Sequence, residues 1–161
     1  MPSAVHLEAT KLLLEQRWAA LATLHEGAPV ASMVAYAVEP GLEGLLLFLS
    51  GLSAHTGDLL ADPRASLAVS SPDTGAGDPQ RLPRLGVQGR VTPLDRGSEE
   101  FARAGARYVE RFPDAMPRFG LADFVLFRFV PEEARYVGGF ARATSLTRDD
   151  LRESARVLQQ A

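Results

Sequence analysis

The side chains best suited to chemistry in this chain stand in one short loop. Ser53, His55 and Thr56 follow an apolar run, 45–49, that ends at Ser50 and is typical of a buried strand. A short helix is predicted next, and a helix start offers unpaired N–H groups and a positive dipole end. Together with two hydroxyls and an imidazole, this start could hold a phosphate group. Taken alone, the loop favours a simpler interpretation, in which Ser53 only caps the helix and His55 and Thr56 are solvated loop residues.

The composition narrows the classes of function. The chain has 161 residues, 17 basic and 20 acidic side chains and a net charge of −3, which gives no general attraction to nucleic acid or to an anionic membrane. It has no cysteine, and its three histidines show no ligand spacing, so a protein-built metal site is not expected. Segment 1–17 lacks the pattern of a secretory signal, and no run approaches about 20 apolar residues. We therefore expect a cytoplasmic protein.

Acid–base and nucleophilic chemistry find little support in the sequence. The serines lie in no recognisable nucleophile elbow, and the histidines have no paired acid in such a motif. Asp73, Asp78 and the pair Arg81 and Arg84 fall in or beside a polar loop, where charged side chains are usually solvated. No residue is therefore named as catalytic.

The elements that must position the loop are mostly short strands. We expect an N-terminal helix over 1–16, a central helix opening at Ser98 with a solvated arginine row, and a C-terminal helix over 147–160 whose Thr147 and Asp150 resemble a capping box. Gly86 and Gly89 mark a bulge or a close backbone approach. Strands are predicted at 18–24, 30–38, 45–49, 65–69, 82–94, 124–130 and 133–137. Short turns between most of them favour antiparallel pairing, so we predict one mainly β domain, a six- to seven-stranded antiparallel barrel with peripheral helices.

In this order the motifs resemble the FMN-binding split barrel of the pyridoxamine 5′-phosphate oxidase-like superfamily. The resemblance covers about 17–140, which would be the barrel. It is carried by Pro29-x-x-Ser32-Met33-Val34, Ser50-x-x-Ser53-x-His55-Thr56, Leu59-x-x-Asp62-Pro63-Arg64 and the glycine-bearing strand. Within the superfamily, His55-Thr56 and Gly138-Gly139-Phe140 look closest to the haem-utilisation branch.

The resemblance implies a function and a set of site residues. The chain would be an FMN-dependent oxidoreductase acting on a small-molecule substrate, with flavin bound at a homodimer interface and performing the redox chemistry. The flavin ring would lie against Ser32, Met33 and Val34, with Ser50 near the phosphate end. Ser53, His55 and Thr56 would hold the phosphate, and Arg84 would add a polar contact. Asp58 stands where the oxidase pattern has an amide, and it would oppose a phosphate unless it points away.

Three alternatives remain open at this stage. The first is a haem-binding or haem-degrading protein on the same fold, for which Tyr136 is a candidate ligand, although a structural role is more usual for a buried tyrosine. The second is a non-catalytic flavin carrier or sensor. The third is a deazaflavin in place of FMN.

Overall fold

The fold is built around one antiparallel sheet. The computed structural model describes residues 1–139 and 142–161. The strands are β1 Trp18–His25, β2 Ala28–Ala35, β3 Ala37–Val38, β4 Leu45–Ser50, β5 Arg64–Ser70, β6 Arg84–Pro93, β7 Phe124–Val137 and β8 Ala143–Thr147; the helices are α1 Ala4–Glu15, α2 Ala54–Ala61, α3 Glu99–Arg111 and α4 Arg148–Gln160. Seven strands follow the order β2-β1-β5-β6-β7-β4-β3, and the eighth, β8, pairs with β7. The sheet curls into a split barrel, which confirms the predicted fold class.

The longest strand corrects the sequence-based prediction. The segments 124–130 and 133–137, predicted as two strands, form the single strand β7, which pairs with β4, β6 and β8. Pro131 falls inside it, opposite Gly89, where the β6–β7 register shifts. Because the pairing is already irregular there, the missing N–H of proline is tolerated. The predicted bulge is thus confirmed at Gly89.

Two short strands account for the remaining difference in strand number. β3 separates from β2 at Tyr36, and β8 follows β7 where no strand was predicted, since its sequence is short and polar. The predicted capping box at the start of α4 is confirmed: the Thr147 hydroxyl accepts from the N–H of Asp150, and the Asp150 carboxylate accepts from the N–H of Thr147. Phe140, part of the expected late glycine motif, lies outside the described residues.

The core lies inside the curled sheet and under the helices. The inward side chains of β1, β4, β5, β6 and β7 form it together with α1 and α4. A second cluster packs Phe48 against Tyr108 and Phe119 beneath α3. The α3 arginine row is only partly solvated, because Arg107 donates to the carbonyl of Val38 at 3.0 Å and thereby ties the helix to the barrel.

Among the described residues, none of the helices has both the length and the apolar composition needed to cross a membrane.

Candidate functional site

Helix α2 covers one end of the β1–β2 hairpin, and the polar residues meet there. The helix ends where Asp62-Pro63 cannot continue it. Strand alternation turns alternate side chains of β1 and β2 toward the helix, because side chains two apart share a face. The contacts join Thr23, His25, Ser32, His55 and Asp58, which we call the hairpin–helix cluster.

Asp58 is the centre of this cluster. Its side chain is only 5% exposed. One oxygen accepts from the Thr23 hydroxyl at 3.2 Å, and the other lies 2.6 Å from Nδ1 of His25. A buried carboxylate is costly without such partners, so these bonds fix its direction. Asp58 therefore points toward the hairpin, and both its oxygens have partners there.

His25 is a site residue that the sequence analysis missed. Its side chain is 60% exposed at the end of β1, and the hydrogen bond to Asp58 raises its pKa. The alternation of side chains along β1 could have indicated His25, because it lies two residues after Thr23 and therefore on the same face of the strand. The 33-residue separation from Asp58 gave no local indication of the contact.

The predicted residues Ser32 and His55 do come together. The Ser32 hydroxyl lies 3.0 Å from Nδ1 of His55, between β2 and α2. Burial lowers the pKa of His55, and the nearby Asp58 carboxylate partly opposes this effect. The neutral imidazole is consequently favoured, which weakens His55 as a cationic partner for a phosphate.

The hydroxyls of the loop have different roles. Thr56 is buried, and its hydroxyl donates to the carbonyl of Ser50 at 2.6 Å, so its hydrogen is already used within the fold. Ser53 stands at the N-cap of α2, yet its side chain makes no capping bond. The simpler interpretation is therefore wrong for both residues: the Ser53 hydroxyl does not cap the helix, and Thr56 is not solvated. Ser50 accepts from the N–H of Leu52 at 3.2 Å.

The three predicted residues of β2 do not share a face. Ser32 turns toward α2, and Val34 is buried in the core at 3% exposure. Met33 points to the opposite face of the strand and is 48% exposed. A flat ring lying on the outer face of β2 would therefore contact Met33 and would not contact the side chains of Ser32 or Val34.

Arg84 and Tyr136 lie apart from the cluster. Arg84 pairs with Val137 at one end of β7, whereas Ser50 pairs with Phe124 at the other end. The Arg84 guanidinium donates to the carbonyl of Gln80 at 2.6 Å. Tyr136 is 3% exposed within the main core, so its burial favours the structural role over that of a ligand.

The outer face of the sheet carries small side chains and a shallow cleft. Small outward residues follow one another across three adjacent strands: Ala20 and Ala22 on β1, Ser66 and Ala68 on β5, and Gly86 on β6. A cleft of about 370 Å³ lies over this face, with Arg64 and Arg90 among its lining residues. Both arginines are already paired, Arg64 with Asp62 and Arg90 with Glu132.

Comparisons with known proteins agree with this architecture. A family model described as pyridoxamine 5′-phosphate oxidase matches residues 6–138. The chain is 30% identical over 110 residues to the Vibrio cholerae protein named heme oxygenase HutZ, covering 68% of this chain and 62% of that protein. It is 32% identical over 120 residues to the Arabidopsis thaliana protein named non-canonical heme oxygenase HOZ, chloroplastic, covering 74% of this chain and 35% of that protein. A solved structure of a heme binding protein from Mycobacterium smegmatis superposes with a TM-score of 0.84 at 28% identity, covering 95% of this chain and 62% of the other.

The chain therefore belongs to the pyridoxamine 5′-phosphate oxidase-like split-barrel family, near its haem-utilisation branch. This confirms the resemblance inferred from the motifs. The chain spans about three fifths of HutZ and about a third of HOZ.

Proposed function

We propose that this chain binds haem at the hairpin–helix cluster, and that it is a haem-degrading protein like those its relatives' names describe. The support is the similarity to HutZ and HOZ, together with the structure from Mycobacterium smegmatis. FMN, the main expectation from the sequence, becomes the second candidate, because the chemistry of the cluster suits haem better.

The observation that carries the proposal is the set of donors in the cluster. It holds two imidazoles, two hydroxyls and a buried carboxylate, and none of its side chains is a lysine or arginine. Haem iron is commonly bound by an imidazole nitrogen and needs only one protein ligand. A phosphate dianion is best held by charge-assisted donors such as lysine or arginine side chains. The cluster therefore favours haem over FMN.

The start of α2 offers a place for the carboxylate groups of haem. Ser53 lies five residues before Asp58, which corresponds to about 7.5 Å along a helix axis. That span is within the radius of a haem group. The free Ser53 hydroxyl and the N–H groups of the first helical turn would donate hydrogen bonds to an anionic propionate there.

Absorption spectroscopy tests the proposal directly. The purified full chain is titrated with haemin and, separately, with FMN. We expect a Soret band that saturates at one haem per chain and clearly weaker uptake of FMN. Adding a reductant in air should then bleach the Soret band if the chain degrades haem, whereas a stable band would indicate binding without degradation. FMN uptake without a Soret band would contradict the proposal.

FMN remains supported by one observation, the Ser53 hydroxyl that is not used for capping. If FMN binds there, Ser53→Ala combined with His55→Ala should weaken it by well over tenfold, about 2 kcal/mol. Asp58→Asn should change FMN binding little, because the Asp58 carboxylate points toward the hairpin, where both its oxygens have partners. Fluorescence titration measures both effects. Binding would depend on Ser53 in the same way if the cofactor were a deazaflavin, or if the protein were a flavin carrier that does not turn over.

We also propose that the chain acts as a homodimer through the outer face of β1, β5 and β6. The small side chains there allow two sheets to approach closely, and Trp18 and Met33 are exposed at 57% and 48%. Arg84 lies on this outer face and far from the Ser53–Thr56 loop along β7. If Arg84 contacts a cofactor held at the loop, it must therefore come from the second copy.

A further inference from the structure

Two rows of side chains cross the outer face of the sheet, and each row joins four strands, from β1 through β5 and β6 to β7. Residues that lie opposite one another on paired strands point to the same side of a sheet. The first row, which we call the Arg135 row, consists of Ala20, Ala68, Gly86 and Arg135. The second, the Glu133 row, consists of Ala22, Ser66, Gln88 and Glu133. Each row therefore runs from a small side chain on β1 to a long, charged one on β7.

Arg135 is an exposed cation of this face that has no charged partner. Among the described residues it forms no ion pair, whereas Arg64 pairs with Asp62 and Arg90 pairs with Glu132. The Arg135 side chain also borders an open cleft of about 220 Å³. Its guanidinium is therefore available to a second molecule.

The middle of the Arg135 row is the lowest part of this face. Ala68 lies opposite Gly86, and a Cβ at Gly86 would meet nothing within 4 Å. Because the sheet curls, two such faces that touch at β5 and β6 diverge toward β1 and β7. A long side chain opposite a small one fills the space there, since two small ones would leave a gap and two long ones would hold the faces apart.

This order of small and long side chains favours one symmetry for the homodimer proposed above. A two-fold axis parallel to the strands, between β5 and β6, places Arg135 over Ala20 of the partner subunit. The same axis places Glu133 over Ala22 of the partner subunit. An axis perpendicular to the strands would instead stack each strand on its own copy. Ala20 would then face Ala22 of the partner subunit across a gap, and the two long side chains of β7 would meet each other.

In the favoured arrangement Arg135 reaches the open edge of the partner's sheet. Neighbouring strands are about 4.8 Å apart. The apolar stem of an arginine can therefore cover β1 while its guanidinium emerges at β2, which is an edge strand. On β2, Met33 lies opposite Ala20, and the preceding residue Ser32 contacts His55 at 3.0 Å. The guanidinium of one copy thus arrives beside the hairpin–helix cluster of the other.

We propose that each copy lays Arg135 across Ala20 of the other, and that its guanidinium serves as the cation of the other copy's candidate site. The group it binds is an anion, either a propionate of haem or the phosphate of FMN. This inference rests on the proposed function and homodimer, and it adds the residue that joins the two. The cluster has no lysine or arginine side chain of its own, so a cation from the partner would complete it.

The packing is tested by sedimentation of the full chain over a range of concentrations. Ala20→Phe should weaken the dimer about tenfold or more, because the larger side chain collides with Arg135 of the partner subunit. Adding Arg135→Ala to the same chain should relieve the collision and restore most of the affinity. Glu133→Ala is the matched control, since Glu133 lies over Ala22 and should not relieve it.

The role of Arg135 is tested with dimers that are mixed from two variants. One chain carries Arg135→Gln, and the other carries Ser53→Ala with His55→Ala. A mixed dimer keeps one intact site, because the second chain supplies Arg135 to the unchanged Ser53 and His55 of the first. Titration with haemin and, separately, with FMN should show one site of wild-type affinity per mixed dimer. Dimers of either variant alone should bind about tenfold or more weakly.

The outcomes separate the inference from the proposed function. A collision in Ala20→Phe that Arg135→Ala does not relieve would overturn the packing. Mixed dimers without an intact site would overturn the assignment of Arg135 to the partner's site and leave ligand binding itself intact. A wild-type chain that binds neither haemin nor FMN would overturn the proposed function together with the role of Arg135, and a monomeric wild-type chain would overturn the homodimer and this inference.

Discussion

At the scale of single residues, the two glycines of β6 show how differently one residue type can be used. A Cβ at Gly89 would collide with the carbonyl oxygen of Val130 and approach the Phe129 ring, because β6 and β7 come very close at the register shift. A Cβ at Gly86 would meet nothing within 4 Å. Gly89 is thus required by packing on β7, whereas Gly86 only keeps the outer face of the sheet flat.

We expect Gly89→Ala to lower the free energy of unfolding by about 2–3 kcal/mol, since the clash is with backbone that cannot move aside. Gly86→Ala is the matched control on the same strand and should change the free energy of unfolding by less than about 0.5 kcal/mol. Urea unfolding followed by the fluorescence of Trp18 measures both. Equal stability of the two variants would show that the strands separate easily at the bulge.

At the scale of elements, the start of α4 depends on one carboxylate. Asp150 accepts bonds from the N–H and the hydroxyl of Thr147, and these bonds lower its pKa. A carboxyl group whose pKa is lower in the folded state adds stability above its ordinary pKa. It loses that contribution as the pH falls through the folded-state value.

Asp150→Ala should therefore lower the free energy of unfolding by about 1 kcal/mol at neutral pH. The difference from wild type should narrow as the pH falls below the ordinary carboxyl pKa. Asp149→Ala is the control, because Asp149 is exposed in the same helical turn but takes no part in the capping box. Unfolding curves across the acid range measure how the stability difference between Asp150→Ala and wild type changes with pH. If that difference grew on acidification, the capping bonds would not be its source.

At the scale of the whole molecule, the sheet leaves one broad face uncovered by helices. The helices contribute to the core on the inner side, while the outward residues around Ala68 at the centre of β1, β5 and β6 are small. A flat sheet face with small side chains at its centre favours packing against a second copy.

We expect the wild-type chain to sediment as a dimer and Ala68→Arg to sediment as a monomer, since Ala68 is exposed at the centre of this face between Ala20 and Gly86. Ala106→Arg adds the same charge to an exposed position on α3 and should leave the dimer intact. Sedimentation velocity distinguishes the two states. A monomeric wild-type chain, or a dimer that survives Ala68→Arg, would contradict the homodimer.

The sequence by itself determined much of this protein. Apolar alternation and turn residues predicted the antiparallel barrel, Thr147 with Asp150 predicted the start of α4, and Gly89 predicted the bulge, because each depends on residues close together in the chain. The order of the motifs also predicted the family. Only the tertiary structure joined β7 across Pro131, because a proline ends most strands unless the facing backbone is already irregular.

The composition of the candidate site was decided by the tertiary structure as well. The sequence predicted Ser32 and His55 as site residues, and the fold brings them within 3.0 Å of each other. The sequence did not indicate that the Thr56 hydroxyl donates to the carbonyl of Ser50, or that Asp58 turns away from the loop to bind His25. Those contacts depend on how α2 packs against the hairpin. That packing is set by burial over the whole core, which no local pattern of residues records.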